Sequence, residues 1–266
     1  MSHQTRNRLA AVLVLTLLVT PLVLGACQKE PEKLTVYVAK EQEELTEYIP
    51  IAEETLGFEI EYLRLSTGDL MARLLAEKDN PQADVVFGTA ASSMMILDGE
   101  GMLEPYAPKG LDDILPAFRS KEDPPTWVGV DAYINAICFN TEMGEQLGLP
   151  QPTTWEDLLD PVYEGQIVMP DPASSGTGYM FVSACVQGMG GWDYLEGLDK
   201  NMAMYTKSGS KPCKMAAAGE YAIGLSFAFV GARLKREGAP IEFVVPEQTG
   251  YQVEANSLMK GTDNPK

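Results

Sequence analysis

Three stretches of this chain combine hydroxyl side chains and small residues just ahead of an apolar, helix-like segment. The most pronounced is Asp171-Pro172-Ala173-Ser174-Ser175-Gly176-Thr177-Gly178. The others are Tyr205-Thr206-Lys207-Ser208-Gly209-Ser210-Lys211-Pro212-Cys213 and Thr89-Ala90-Ala91-Ser92-Ser93. The chemistry available to such a turn is anion binding. The first N–H groups of a helix lack partners within it and carry a partial positive charge, and nearby hydroxyls add donors. A single turn of this kind reads equally well as an ordinary helix cap. Three of them, each after a strand, point to amides converging on one ligand at strand ends, where open α/β sheets bind ligands. The expected contacts to an anionic ligand are therefore Ser92, Ser174, Ser175, Gly176, Thr177, Ser208 and Ser226. Asp131 is the expected partner for a cationic end, although a turn residue would look the same.

Catalytic readings find less support. Ser208-Gly209-Ser210-Lys211 fits the Ser-x-x-Lys nucleophile motif, which makes a serine hydrolase using Ser208 or Ser210 the alternative from another class. Its companions Ser-Asp-Asn and Lys-Thr-Gly do not occur in the chain. Gly224-Leu225-Ser226-Phe227-Ala228 approaches a nucleophile elbow but ends in Ala, and no phosphate-binding Gly-x-x-x-x-Gly-Lys-Ser/Thr pattern is found. The single histidine, His3, falls in a segment expected to be removed. Without it, Ser-His-Asp and Cys-His sets and histidine-ligated zinc are excluded. No catalytic residue, metal or cofactor is expected.

The elements that must hold these turns alternate. Leu34, Val36 and Val38 read as a strand, a helix follows from Glu43 to Leu56 with Gly57 as its stop, and Phe58–Leu63 is a second strand. Ser66 and Asp69 open a helix in capping-box style, Ala83–Phe87 is a buried third strand, and Ser92-Ser93 start another helix. This order predicts a parallel sheet with helices on both faces. Farther on, Trp127–Val130 and Tyr133–Phe139 read as two short strands, Thr154–Asp157 as a capped helix start, and Gln166–Met169 as a strand. Two helices, a strand over Tyr221–Phe227, a helix to Arg236 and a strand over Ile241–Val245 complete a second α/β unit.

The N-terminus sets the compartment. Arg6 and Arg8 precede an apolar run from Leu9 to Leu24, broken by Pro21 and shorter than the roughly 20 residues a membrane-spanning helix needs. It ends in Leu24-Gly25-Ala26-Cys27, which resembles the site cut by lipoprotein signal peptidase. Residues 1–26 are thus expected to leave as a signal peptide. Cys27 would be lipidated, residues 27–33 would form a tether, and the chain would be membrane-anchored on the periplasmic or extracytoplasmic face. Losing Arg6 and Arg8 takes the net charge from -18 to -20, which disfavours nucleic acid as a partner. Of the remaining cysteines, Cys185 sits among Phe181, Val182 and Val186 and reads as core, so Cys138 and Cys213 are the better candidates for a disulfide.

Taken together, the chain from about Leu34 resembles extracellular solute-binding proteins of family 1, the periplasmic components of ABC importers. The resemblance is carried by Ile137-Cys138-Phe139-Asn140, the 171–178 and 205–213 stretches, Gly224-Leu225-Ser226-Phe227 and Gly238-Ala239-Pro240-Ile241-Glu242. It implies an α/β, two-lobed periplasmic-binding-protein fold (type II), with residues 34–132 and 250–266 in lobe 1 and 133–249 in lobe 2. It also implies a monomer that delivers a small anionic ligand to an ABC transporter permease. Within the family the chain looks closest to 2-aminoethylphosphonate-binding proteins, with ferric-iron binders as the alternative. Iron binders typically use adjacent tyrosines, whereas this chain reads Phe227-Ala228-Phe229 and contains no Tyr-Tyr pair. The family's C-terminal helices, which pack back on the first lobe, have no counterpart before Lys266.

Overall fold

A computed structural model describes residues 33–57 and 59–261. The expected signal peptide, Cys27, the tether up to residue 32, Phe58 and residues 262–266 lie outside the described residues.

The chain begins with β1 (Lys33–Val38), α1 (Gln42–Leu56), β2 (Glu59–Arg64), α2 (Thr67–Ala76), β3 (Val85–Ala90) and α3 (Ala91–Gly99), the alternation expected from the sequence. Gly57 ends α1 at φ 71° and donates its N–H to the Glu53 carbonyl at 2.9 Å, a left-handed cap that glycine adopts without strain. Leu70, Met71 and Leu74 of α2 are buried on one face. Ser66 is the N-cap of α2, but its hydroxyl makes no capping hydrogen bond. Then come β4 (Leu103–Glu104), β5 (Val128–Asn140), α4 (Thr141–Leu147), β6 (Ile167–Pro170), α5 (Gly176–Gly188), α6 (Gly191–Asp199) and β7 (Met202–Thr206). The described chain closes with α7 (Lys211–Ala217), β8 (Ile223–Phe227), α8 (Ala228–Arg236), β9 (Ile241–Val244) and β10 (Tyr251–Met259). No helix among the described residues is long and apolar enough to cross a membrane.

Three local expectations are corrected. The two strands expected at 127–139 are one strand, β5. Asp131, which reads as a break, lies at a bulge where the register against β10 shifts, and a bulge re-aims side chains without ending a strand. The helix expected at Thr154 is a 3-10 turn, Glu156–Leu159; the Asp157 carboxylate accepts the Thr153 and Thr154 N–H groups at 2.7 and 2.9 Å, and Pro161 follows too soon for a longer helix. Between β6 and β8 the sequence predicts two helices only, whereas the structure has three helices and β7. The 205–213 turn implies a strand before it, but an edge strand exposed over Ala203–Tyr205 shows no alternation to bound it.

The strands join in the order β2-β1-β3-β10-β5-β8-β6-β7, with β4 beside β10 and β9 beside β5. β1 runs parallel to β2 and β3, and β6 runs parallel to β7 and β8, as expected of βαβ units. The sheet is nevertheless mixed, since β10 is antiparallel to both β3 and β5. β5 changes partner midway: up to Ile134 it pairs with β10, and from Asn135 it pairs with β8 and β9. The sheet's two halves consequently have separate cores, one around Leu70, Met94 and Leu97, the other around Trp155, Phe181 and Ile167. Cys138 on β5 and Cys213 on α7 form a disulfide, while Cys185 is a buried free thiol whose pKa burial pushes up to about 12.

Candidate ligand-binding site

Where β5 changes partner, the two halves enclose a cavity of about 290 Å³, near the lower end of the range for small-molecule sites. The first half lines it with Lys40, Glu41, Glu44, Arg64, Ser66, Thr67, Asp131 and Glu254. The second half contributes Ser175, Gly176, Thr177, Gly209, Phe227 and Phe229, and Tyr133 of β5 lies between. Tyr133 packs edge-on against Phe227, with ring centroids 5.6 Å apart.

Two helix N-termini meet in this cavity from opposite halves. Ser175 caps α5, with its hydroxyl 3.5 Å from the Gly178 N–H, while Ser66 and Thr67 begin α2. The approach is close. A Cβ on Gly176 would stand 2.7 Å from the Thr67 hydroxyl oxygen, and the Gly68 N–H donates to the Ser174 carbonyl at 2.9 Å. The starts of α2 and α5, the Thr67 and Thr177 hydroxyls and the Arg64 guanidinium thus line one small volume, and the positive ends of two helix dipoles favour an oxyanion there.

The first half also brings charges of both signs to the cavity wall. The Lys40 ammonium, only 4 % exposed, bonds to the carboxylates of Asp131 and Glu254 and lies 3.5 Å from Glu44. Burial works to lower the Lys40 pKa, but the Glu254 charge and the hydrogen bonds to Asp131 and Glu254 outweigh it, so Lys40 is held cationic. Glu254 is raised well above the usual carboxylate range, first by burial and then by the Asp131 charge, with Lys40 opposing. Arg64 donates to the Lys40 carbonyl at 3.0 Å and to Glu41 at 3.3 Å, which fixes the guanidinium at the rim.

Of the residues expected from the sequence, Asp131, Ser175, Gly176 and Thr177 reach this cavity. Ser92 lines an adjoining cavity of about 160 Å³ and accepts a hydrogen bond from Gln252 at 2.8 Å. Ser174 and Ser226 instead donate to the carbonyls of Lys207, at 3.1 Å, and Gly209, at 2.7 Å. Ser208 is also outside the lining, its carbonyl accepting from the Thr206 hydroxyl at 3.0 Å, so that turn contributes Gly209 alone. Ser210, the alternative nucleophile, donates to Glu41 at 2.8 Å. Sequence reading missed Lys40, Arg64, Thr67 and Glu254. Thr67 followed a recognised cap at Ser66 and could have been found as a fourth turn of the same type; the charged residues carry no local signal.

A second set of charges joins the halves beside the cavity. Lys214 of α7 and Arg233 of α8 contact Glu43 of α1 at 3.0 and 3.1 Å, and Lys214 also lies 3.6 Å from Glu41. Arg233 is further paired with Glu237 at 3.6 Å. Partial burial acts to raise the Glu43 pKa. Hydrogen bonds from Lys214 and its own backbone, and the charges of Lys214 and Arg233, outweigh that and lower it to about 2 from an ordinary 4.5. A lowered folded-state pKa means the pair's contribution is complete above pH 4.5 and is lost as pH falls toward 2. Melting scans from pH 5 to 2.5 should therefore show a falling midpoint, and Glu43→Gln should flatten part of that slope. Parallel slopes for the two proteins would contradict this assignment.

A mixed sheet whose halves enclose a cleft lined by helix N-termini defines a periplasmic-binding-protein fold. Residues 80–266 match the family of bacterial extracellular solute-binding proteins, and the chain belongs to that family. An uncharacterized protein of Haemophilus influenzae is 33% identical over 265 residues, covering 97% of this chain and 77% of that one. The probable ABC transporter periplasmic-binding protein y4fP of Sinorhizobium fredii is 30% identical over 174 residues, 62% of this chain and 47% of that one. The periplasmic binding protein AfuA from Actinobacillus pleuropneumoniae, solved with exogenous fructose-6-phosphate bound, is 33% identical with a TM-score of 0.83, covering 88% of this chain and 75% of that one. The chain is thus a bacterial extracellular solute-binding protein with an extracytoplasmic place of work, and AfuA, which it resembles in sequence and structure, is a binding protein.

Proposed function

We propose that this cleft captures a small organic phosphate or phosphonate for delivery to an ABC permease. The observation that carries this reading is the pairing of the α2 and α5 N-termini, with Thr67 and Thr177 hydroxyls and Arg64, around one cavity. A phosphoryl group presents several acceptor oxygens and negative charge to such donors. Fructose 6-phosphate, the ligand seen in AfuA, and 2-aminoethylphosphonate both belong to this class. Residues 34–132 with 250–266, and 133–249, act as lobes that close over the ligand. Lipid on Cys27 keeps the monomeric binder near the permease. Ferric iron fits less well: Glu44, Asp131 and Glu254 are turned to Lys40, Phe227 and Phe229 line the wall, and no group of three or more His, Cys, Asp or Glu among the described residues is arranged for a metal.

Titration calorimetry of the purified protein with fructose 6-phosphate, 2-aminoethylphosphonate, inorganic phosphate and ferric citrate tests this reading. Heat is expected from at least one organic phosphoryl compound and none from ferric citrate. Thr177→Val keeps the side chain's shape while removing its hydroxyl, and should weaken phosphoryl binding about tenfold or more. Tight ferric binding with no phosphoryl heat would overturn the proposal.

A further inference from the structure

The Lys40 side chain occupies a seat shaped for it. Its stem lies against Gly88, where an added Cβ would come within 2.4 Å of Lys40 Cγ and where φ is 61°. Asn256 accepts the Gly88 N–H at 2.9 Å and steadies this part of β3. The ammonium then meets Asp131 and Glu254, which stand directly opposite each other in the β5–β10 pair. Two like charges so placed destabilise a sheet, and a cation fixed between them offsets the repulsion. Asp131 is nonetheless 47% exposed on its side chain, so it still faces the cavity.

We propose that Lys40 is the specificity-determining residue of the cleft: by occupying Asp131, Glu254 and Glu44 it bars a ligand's ammonium group and leaves the exposed Asp131 carboxylate for a ligand hydroxyl. This rests on the phosphoryl-binding reading and assigns the other end of the same ligand, making it a hydroxyl-bearing organic phosphate. An ammonium entering here would compete with Lys40 for its partners and sit beside a like charge, which costs affinity. A hydroxyl donates to Asp131 without adding charge and sheds less hydration.

Competition and titration experiments on the purified protein should show fructose 6-phosphate or glycerol 3-phosphate binding about tenfold or more tightly than 2-aminoethylphosphonate. In Lys40→Met the order should reverse, because the carboxylates then lack a cation. Removing one partner of a buried ion pair is destabilising. For that reason a companion variant, Lys40→Met with Glu254→Gln, removes one carboxylate together with the cation and should show the same reversal. Equal or tighter binding of the aminophosphonate by the wild-type protein, or an unchanged order in the variant that folds, overturns the inference while phosphoryl binding stands. No binding of any phosphoryl compound instead overturns the phosphoryl reading and this inference with it.

Discussion

Replacing Gly68 by alanine should weaken ligand binding about ten- to a hundredfold while leaving the ligand-free protein at least as stable. The reason is geometric. A Cβ at this position would stand 2.1 Å from the Ala173 carbonyl oxygen and 2.8 Å from the Ser174 Cα. Both obstacles are backbone, so no flexible side chain can swing aside, and overpacking of this kind costs about 1–3 kcal/mol. With the lobes apart in the ligand-free protein, as the proposed closure implies, that cost falls only on the closed arrangement in which the α2 N-terminus touches the 173–174 turn. At about 1.4 kcal/mol per tenfold it converts to the stated loss of affinity. The same substitution favours helix α2, since alanine exceeds glycine in helix propensity by up to about 1 kcal/mol. Weaker binding by calorimetry with an equal or higher melting midpoint would be the signature. Undiminished affinity would show that the halves do not need this approach to hold ligand.

Replacing Cys138 and Cys213 together by alanine should lower stability by about 4 kcal/mol, because their bond closes a loop with a sequence separation of 75 and long loops lose most entropy when crosslinked. For a chain this size the loss corresponds to a fall of about 10 °C in melting midpoint. Both residues are fully buried in the small core that also holds Ala216, Val230 and Ile241. Scanning calorimetry with and without reductant checks the prediction: the reduced wild-type protein should fall by a similar amount, and reductant should leave the variant unchanged. The bond also fixes α7, and with it the Gly209-Ser210 turn that reaches the cleft, against β5. A modest loss of ligand affinity should accompany the loss of stability.

Local chemistry made much of this molecule legible in the sequence. Gly57 marks its helix end because only the left-handed cap conformation satisfies the chain there. The Asp171–Gly178 turn declares a helix N-terminus through a serine cap followed by glycine, and three of its residues do reach the cleft. Cys138 and Cys213 could be singled out because Cys185 sits in an apolar helical setting. The turn at 205–213 shows the limit of the same logic. Its hydroxyls look equivalent to those at 174–177, yet Ser226 binds the Gly209 carbonyl and Ser210 binds Glu41, so only backbone at Gly209 faces the cavity.

What the sequence by itself determined was the alternating order of elements and the places where helices begin. Each depends on residues within a few positions of one another, where propensity and capping act. Tertiary structure alone decided the charged end of the cleft. Lys40, Asp131 and Glu254 are far apart in the chain and come together because β10 inserts between β3 and β5 while Gly88 leaves room for the lysine stem. It also decided that β5 runs unbroken through Asp131 and changes partners on the way, the step that creates two halves and the cleft between them. Charge pairing over such separations is set by strand order and register, and neither is written in the local pattern of residues.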